Sequence, residues 1–215
     1  PAGHRSGRSH RPPALPDGLA LERATFLDLR GSDQAAALRH VFFAERAAQS
    51  RGRDLPAPVE VTRAIVVGGG TMGAGIAYAL AAVGIHVTTV ETDDAAVARA
   101  RANIAGLYAD AVSRGKSTPN QAEAALAARH QLQAGYDNLP TAELAIEAAF
   151  EDLSVKRQIF AALDKALPDT TVLATNTSYL DVNAIFDGLR APDRLLGLHF
   201  FAPAHVMKLL EIIRA

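Results

Sequence analysis

The sequence predicts an α/β fold: a doubly wound, mostly parallel sheet with helices on both faces, preceded by an N-terminal linker helix. Three observations carry this. From residue 62 onward, short runs that are apolar on both faces alternate with longer helical stretches, and such alternation builds right-handed βαβ units. The first apolar run ends in a glycine-rich turn that opens straight into a helix. The composition, 49% hydrophobic and 21% charged, is that of a chain able to cover such a sheet on both sides.

Taken in order, residues 1–16 are rich in proline and arginine and contain nothing that could pack, so they read as a disordered tail or remnant. They lack the apolar core of a secretory signal. Residues 17–60 form the linker region. Leu19, Leu21, Phe26 and Leu27 precede a break at Gly31-Ser32-Asp33. Ala37, Leu38, Val41, Phe42 and Ala44 then fall on one side of a helix that ends near Gly52. Residues 51–58 read as a linker, and the main domain occupies 61–215. Its strands are expected at Ala64–Val67, His86–Val90, Leu144–Ala148, Thr171–Thr175 and Leu195–Phe200. Its helices are expected at Met72–Ala82, Asp94–Val112, Asn120–Ala128, Val155–Leu167 and Val182–Leu189.

The 215 residues carry 22 Lys+Arg against 23 Asp+Glu, a net charge of −1. That balance provides no footprint for nucleic acid or an anionic membrane as main partner. Without cysteine, disulfides, Cys-ligated zinc and thiol nucleophiles are excluded. The histidines show no metal-ligand spacing, and no metal site is expected. A cytoplasmic location is the default, with a peroxisome as the alternative.

Gly68, Gly70 and Gly73 fit G-x-G-x-x-G. The first makes the tight turn, the second lets backbone approach a pyrophosphate, and the third lets helix pack on sheet. Phosphates then sit at the helix N-terminus, which places Thr71 and Met72 beside them. Glu91 stands 23 positions beyond Gly68, where the next strand ends. A carboxylate there accepts from the adenosine ribose hydroxyls and repels a 2′-phosphate, which predicts NAD over NADP and a Rossmann-like fold. The competing reading makes Glu91 an acid at the start of the following helix.

Three clusters follow at strand ends: residues 146–153 with Lys156, Thr175-Asn176-Thr177-Ser178, and residues 197–203 leading to Glu211. The runs GGGTMGAGIA, EAAFEDLSVK, ATNTSYL and GLHFFAPAHVMKLLEII resemble, in order and spacing, the NAD-binding domain of the L-3-hydroxyacyl-CoA dehydrogenases. The segment GLALERATFLDLRGSDQAAALRHVFFAER resembles the linker between the enoyl-CoA hydratase and dehydrogenase parts of multifunctional β-oxidation enzymes, and the His199 motif is similar to that of the peroxisomal-type and bacterial members.

The resemblance implies oxidation of a 3-hydroxyacyl-CoA by hydride transfer to NAD. His199 is the candidate base, since imidazole both takes and returns a proton near neutral pH. Glu211, 12 positions on, is its candidate orienting carboxylate, brought alongside by a returning strand. The resemblance makes Ser178 a partner of the substrate's C3 oxygen, with Asn176 helping to hold that end. It makes Glu151 and Lys156 contacts of the nicotinamide ribose, with Ala149 alongside. Blander readings stand beside these: Ser178 and Asn176 as caps of the next helix, Glu151 and Lys156 as a solvated face, Glu211 as an edge-strand charge. Two positions depart from the family, Ala202 in place of Asn or Ser and Tyr179 in place of a small residue. The family also continues into an all-helical domain, so this chain is expected to bind NAD but turn over acyl-CoA poorly. A relative acting on a non-CoA hydroxy acid and a non-catalytic nucleotide-binding module are the alternative functions.

Overall fold

The computed structural model describes residues 14–50 and 58–214. The chain divides into two units, residues 1–58 and 59–215, close to the expected boundary at 60. The reading of residues 1–13 as a tail, and most of the linker 51–58, lie outside the described residues.

The first unit corrects the expectation of one linker helix. It holds two, α1 (Leu15–Gly31) and α2 (Asp33–Ser50). Pro16 begins α1 because proline's fixed φ suits a first turn, so the helix starts inside the stretch expected to be a tail. Ser32 makes the break. Its Oγ donates to Leu29 O at 2.6 Å, closing α1, and accepts from Ala35 N at 3.2 Å, opening α2. The apolar stripe is present but uncovered: Leu38, Val41 and Phe42 stay exposed.

The second unit is one seven-stranded sheet, in order β3-β2-β1-β4-β5-β6-β7. The strands are β1 (Arg63–Val67), β2 (His86–Glu91), β3 (His130–Ala134), β4 (Leu144–Glu147), β5 (Val172–Thr175), β6 (Leu195–Phe200) and β7 (Leu210–Arg214). All neighbours are parallel except β6 and β7, which are antiparallel. The helices are α3 (Thr71–Ala82), α4 (Asp94–Ser113), α5 (Pro119–Arg129), α6 (Leu153–Ala166) and α7 (Val182–Phe186). The expected doubly wound sheet is found, with β3 an unanticipated edge strand.

Strand residues alternate between two cores because successive side chains point to opposite faces. Ile65, Val67, Leu173 and Ala145 pack against Phe160 and Leu163 of α6 and Phe186 of α7. Val66, Ile146, Ala174 and Val87 pack against Ile76 of α3 and Ile104 and Tyr108 of α4. Burial of these side chains is the main stabilising contribution, about 1.5–3 kcal/mol for each large one. Helix starts follow from local chemistry. Asp93 Oδ1 accepts from Ala96 N at 2.8 Å, and Asp152 Oδ1 accepts from Ser154 N at 2.8 Å and Val155 N at 3.0 Å. Thr118 and Gln121 form a reciprocal cap on α5.

The register aligns the strand ends. Val67 pairs with Val90 and with Glu147, Glu147 with Thr175, and Thr175 with Gly197. Strand order reverses between β1 and β4, so the loops leaving this row diverge there and open a crevice.

Candidate active site

The crevice is lined by the residues just past that row. Gly68 N donates to Val90 O at 2.9 Å, Ala148 N to Val67 O at 2.8 Å, and Asn176 N to Glu147 O at 2.8 Å. Each loop therefore leaves its strand tied to the neighbouring strand, which fixes where its side chains go.

Three glycines where β1 turns into α3, Gly68, Gly69 and Gly73, cannot be replaced by larger residues. Gly68 has φ +91°, and a Cβ there would lie 2.8 Å from Ala148 O. A Cβ on Gly73 would lie 1.7 Å from Gly68 O. Gly69, which the expected spacing treats as free, is equally constrained: its Cβ would lie 2.2 Å from that of Ala100. Its N–H donates to Glu91 Oε1 at 2.6 Å, and its carbonyl accepts from Asn103 Nδ2 at 2.9 Å. Gly70 differs, because a Cβ there would meet nothing within 4 Å. It is the N-cap of α3 and supplies no side chain to the first-turn N–H groups.

Two clefts meet at Gly70, Ala148 and Ala149. One, of about 670 Å³, is lined by Gly68, Glu91, Tyr136, Phe150 and Ile159 among others. The other, of about 540 Å³, is lined by Thr71, Met72, Glu151, Lys156, Asn176, Ser178, His199 and Phe200–Ala202. An elongated ligand with a central anionic group fits this groove. Its anion would meet the uncapped start of α3 at Gly70, where a Cβ would find open space, a position suited to oxyanions.

Glu91 lies at the first cleft, as expected, with Oε1 already committed to Gly69 N. Asp93, not Glu91, caps the following helix. Tyr136, two residues past β3, was not anticipated. Burial first, then the charges of Glu147 and Glu91, push its hydroxyl up to about 12.

At the second cleft, His199 and Glu211 are cross-strand partners on β6 and β7. His199 Nδ1 lies 2.7 Å from Glu211 Oε2. The Phe201 ring sits 4.6 Å from the imidazole, centroid to centroid. Asn176 Oδ1 accepts from Phe200 N at 2.9 Å, tying the β5 exit to the end of β6. Neither Asn176 nor Ser178 caps α7, since Asp181 does so through Asn183 N.

Lys156 departs from the solvated-face reading, although it lines the second cleft. It is 1% exposed, not a solvated residue. Its Nζ lies 2.7 and 2.8 Å from the two oxygens of Glu147 and 2.9 Å from Glu151 Oε2. Glu147 is fully buried and also accepts from Ala149 N at 2.8 Å and Thr175 Oγ1 at 2.7 Å. Glu151 Oε1 accepts from Thr177 Oγ1 and, at 3.0 Å, from Ser178 N. Burial raises the Glu151 carboxyl, but the hydrogen bonds of Thr177, Lys156 and Ser178 outweigh it, and its pKa is lowered. Sequence reasoning missed Glu147, Thr175 and Thr177. The available signal was an acid inside the apolar strand LAIE with a lysine nine residues later.

No group of three or more metal-ligating side chains occurs among the described residues.

Residues 63–215 match the family described as "3-hydroxyacyl-CoA dehydrogenase, NAD binding domain". The chain is 38% identical over 202 residues to the peroxisomal bifunctional enzyme of Cavia porcellus, covering 91% of this chain and 28% of that protein. It is 37% identical over 204 residues to the glyoxysomal fatty acid beta-oxidation multifunctional protein MFP-a of Cucumis sativus, covering 92% and 27%. Among solved structures, 3-hydroxybutyryl-CoA dehydrogenase from Escherichia coli aligns with a TM-score of 0.67 at 41% identity, over 72% of this chain and 32% of that one. FadB2 of M. tuberculosis aligns with a TM-score of 0.69 at 37% identity, over 72% and 54%. The chain thus spans just over a quarter of the length of these curated relatives.

Proposed function

This chain belongs to the 3-hydroxyacyl-CoA dehydrogenase family, whose NAD-binding domain it carries, and from that premise we propose that it serves oxidation of a 3-hydroxyacyl-CoA to the 3-ketoacyl-CoA in fatty acid β-oxidation. The observation that carries the proposal is the His199–Glu211 pair, 2.7 Å apart, whose histidine lines the cleft that also holds Ser178 and Asn176. Bound NAD supplies the hydride acceptor for C3 of the substrate.

The chain's residues divide the remaining work. The Glu211 carboxylate accepts from Nδ1–H of His199, which fixes the tautomer with Nε2 free to take the C3 hydroxyl proton. As the proton arrives, the same carboxylate stabilises the imidazolium. Ser178 Oγ donates to the C3 oxygen. Asn176 holds Phe200, and with it the end of β6, in place. At the far end, Glu91 Oε2 accepts from the adenosine ribose, and its charge disfavours a 2′-phosphate.

An all-helical domain completes the acyl-CoA side of the site. Consistent with a covering partner, the segment beyond His199 exposes Val206, Met207, Leu209 and Ile212. An enoyl-CoA hydratase domain is the proposed partner on the other side, and a peroxisomal location follows from the relatives' branch rather than the cytoplasmic default. No helix among the described residues is long and apolar enough to cross a membrane.

The test is His199→Ala in the longer enzyme, followed by NADH absorbance with a 3-hydroxyacyl-CoA. Turnover should fall by about 10²–10⁴ with NAD affinity retained. Unchanged turnover removes His199 as base.

A further inference from the structure

We infer that Glu147, Lys156 and Glu151 act as one fixed charge behind the nicotinamide end of the groove, and that this charge raises the affinity for oxidised cofactor relative to reduced. The inference rests on the functional reading above, which assigns the two ends of the groove.

Two carboxylates share one ammonium, so the cluster carries a net charge of −1. It cannot be rearranged cheaply. Glu147 is fully buried and Lys156 is 1% exposed. Both oxygens of Glu147 are taken by Lys156, with Ala149 N on one and Thr175 Oγ1 on the other. Lys156 then passes to Glu151, whose second oxygen holds Thr177 and Ser178. The chain of contacts joins the end of β4, the first turn of α6 and the exit of β5. Glu147 does not line the cleft itself and acts there through Lys156, Glu151 and Ala149, which makes it a positioning residue.

Glu91 marks the adenosine end, and Gly70 marks the diphosphate. Glu151 and Lys156 line the opposite cleft, with His199 and Ser178. Adenosine and diphosphate are the same in both redox forms of NAD. Only the nicotinamide ring differs, cationic when oxidised and neutral when reduced. A fixed negative charge at this end therefore acts on the difference between the two affinities. A unit charge within ~10 Å, at the effective dielectric of a protein site, corresponds to roughly a tenfold effect. His199 and Glu211 face the same end and are unchanged in every variant below, so their contribution cancels.

The experiment measures dissociation constants for NAD by calorimetry and NADH by fluorescence, on this chain, with circular dichroism to confirm folding. E147Q brings the cluster to zero charge. E151Q does the same while leaving the buried Glu147–Lys156 pair intact, and carries the test if E147Q does not fold. The double variant E147Q/K156M returns the cluster to −1 with no buried pair. The expected result is that NAD weakens about tenfold relative to NADH in each single variant, and that the wild-type ratio returns in the double. A ratio unchanged in the folded single variants overturns the inference, as does a shifted ratio that the double fails to restore. Failure of the wild-type chain to bind either cofactor is a separate result, which brings down the functional reading and this inference together.

Discussion

Gly70 and Gly73 sit three residues apart, and alanine at either should weaken NAD, but only at Gly73 should it also destabilise the fold. At Gly73 the new Cβ would lie 1.7 Å from Gly68 O. The obstacle is backbone in a turn already at φ +91°, so the helix must move by more than 1 Å. Overpacking of this kind costs about 1–3 kcal/mol, which is about 2–12 °C of melting temperature for a domain of this size. The displaced helix N-terminus should also weaken NAD by about a hundredfold. At Gly70 the Cβ meets no protein atom within 4 Å, and φ is −67°. Losing glycine at an N-cap costs about 0.5–1 kcal/mol, and the reduced freedom of the unfolded chain returns about 0.4–1 kcal/mol. Gly70→Ala should therefore melt within ~2 °C of wild type. Its methyl group fills the junction of the two clefts, so NAD affinity should drop at least about tenfold. NADH fluorescence titration and thermal melts on both variants decide the matter. Wild-type affinity in folded Gly70→Ala would show that the diphosphate does not cross this point, and the groove assignment would go with it.

Other consequences are equally direct. Burial pushes His130 down to about 4, with Nδ1 unpartnered and Nε2 2.9 Å from the Tyr108 hydroxyl. The unfolded chain takes up this proton below about pH 6.5 while the folded one does not until about 4, so stability falls as pH drops through that window. The ring is buried, and the loss between pH 7 and 5 is on the order of 1–2 kcal/mol. Urea midpoints of wild type and His130→Gln should show this slope, and its removal. In the longer enzyme, Glu211→Gln should lower kcat by about 10²-fold with little change in KM, and an equal loss in both wild-type and His199→Ala backgrounds would refute their coupling. Glu91→Ala should erase discrimination against NADP and, by unpairing Gly69 N, lower the melting temperature by about 2–8 °C; persistent NAD selectivity would relocate the specificity determinant.

The parts of the fold that sequence could reveal are those with a local signature. Short runs, apolar on both faces, marked five strands of the sheet. The Asp93 and Asp152 side chains show why the helices after them start where they do. What escaped was decided by distant partners. β3, with sequence HQLQA, has no apolar run and exists because its backbone pairs with β2 and its His130 fits beneath Tyr108. Missing that strand also hid Tyr136 at the adenosine cleft. The break at Ser32 was visible, but its consequence was not: the serine both closes one helix and opens the next, so the residues before the break are helical as well as those after it.

The same division runs through the candidate site. His199 and Glu211 could be paired in advance because an antiparallel return places opposite residues on one face. Gly68 and Gly73 were legible because their spacing is a steric requirement. Gly69 was not, since its constraint comes from Ala100 on a helix thirty residues later. Lys156 could be read as a cofactor contact or as part of a solvated face, but its pairing with a carboxylate buried on the adjoining strand escaped, because a lysine's immediate neighbours say nothing of it. An acid inside a four-residue apolar strand is costly unless a cation meets it. Glu147 and Lys156 explain each other, and through Glu151 the pair supports the loop on which Ser178 stands.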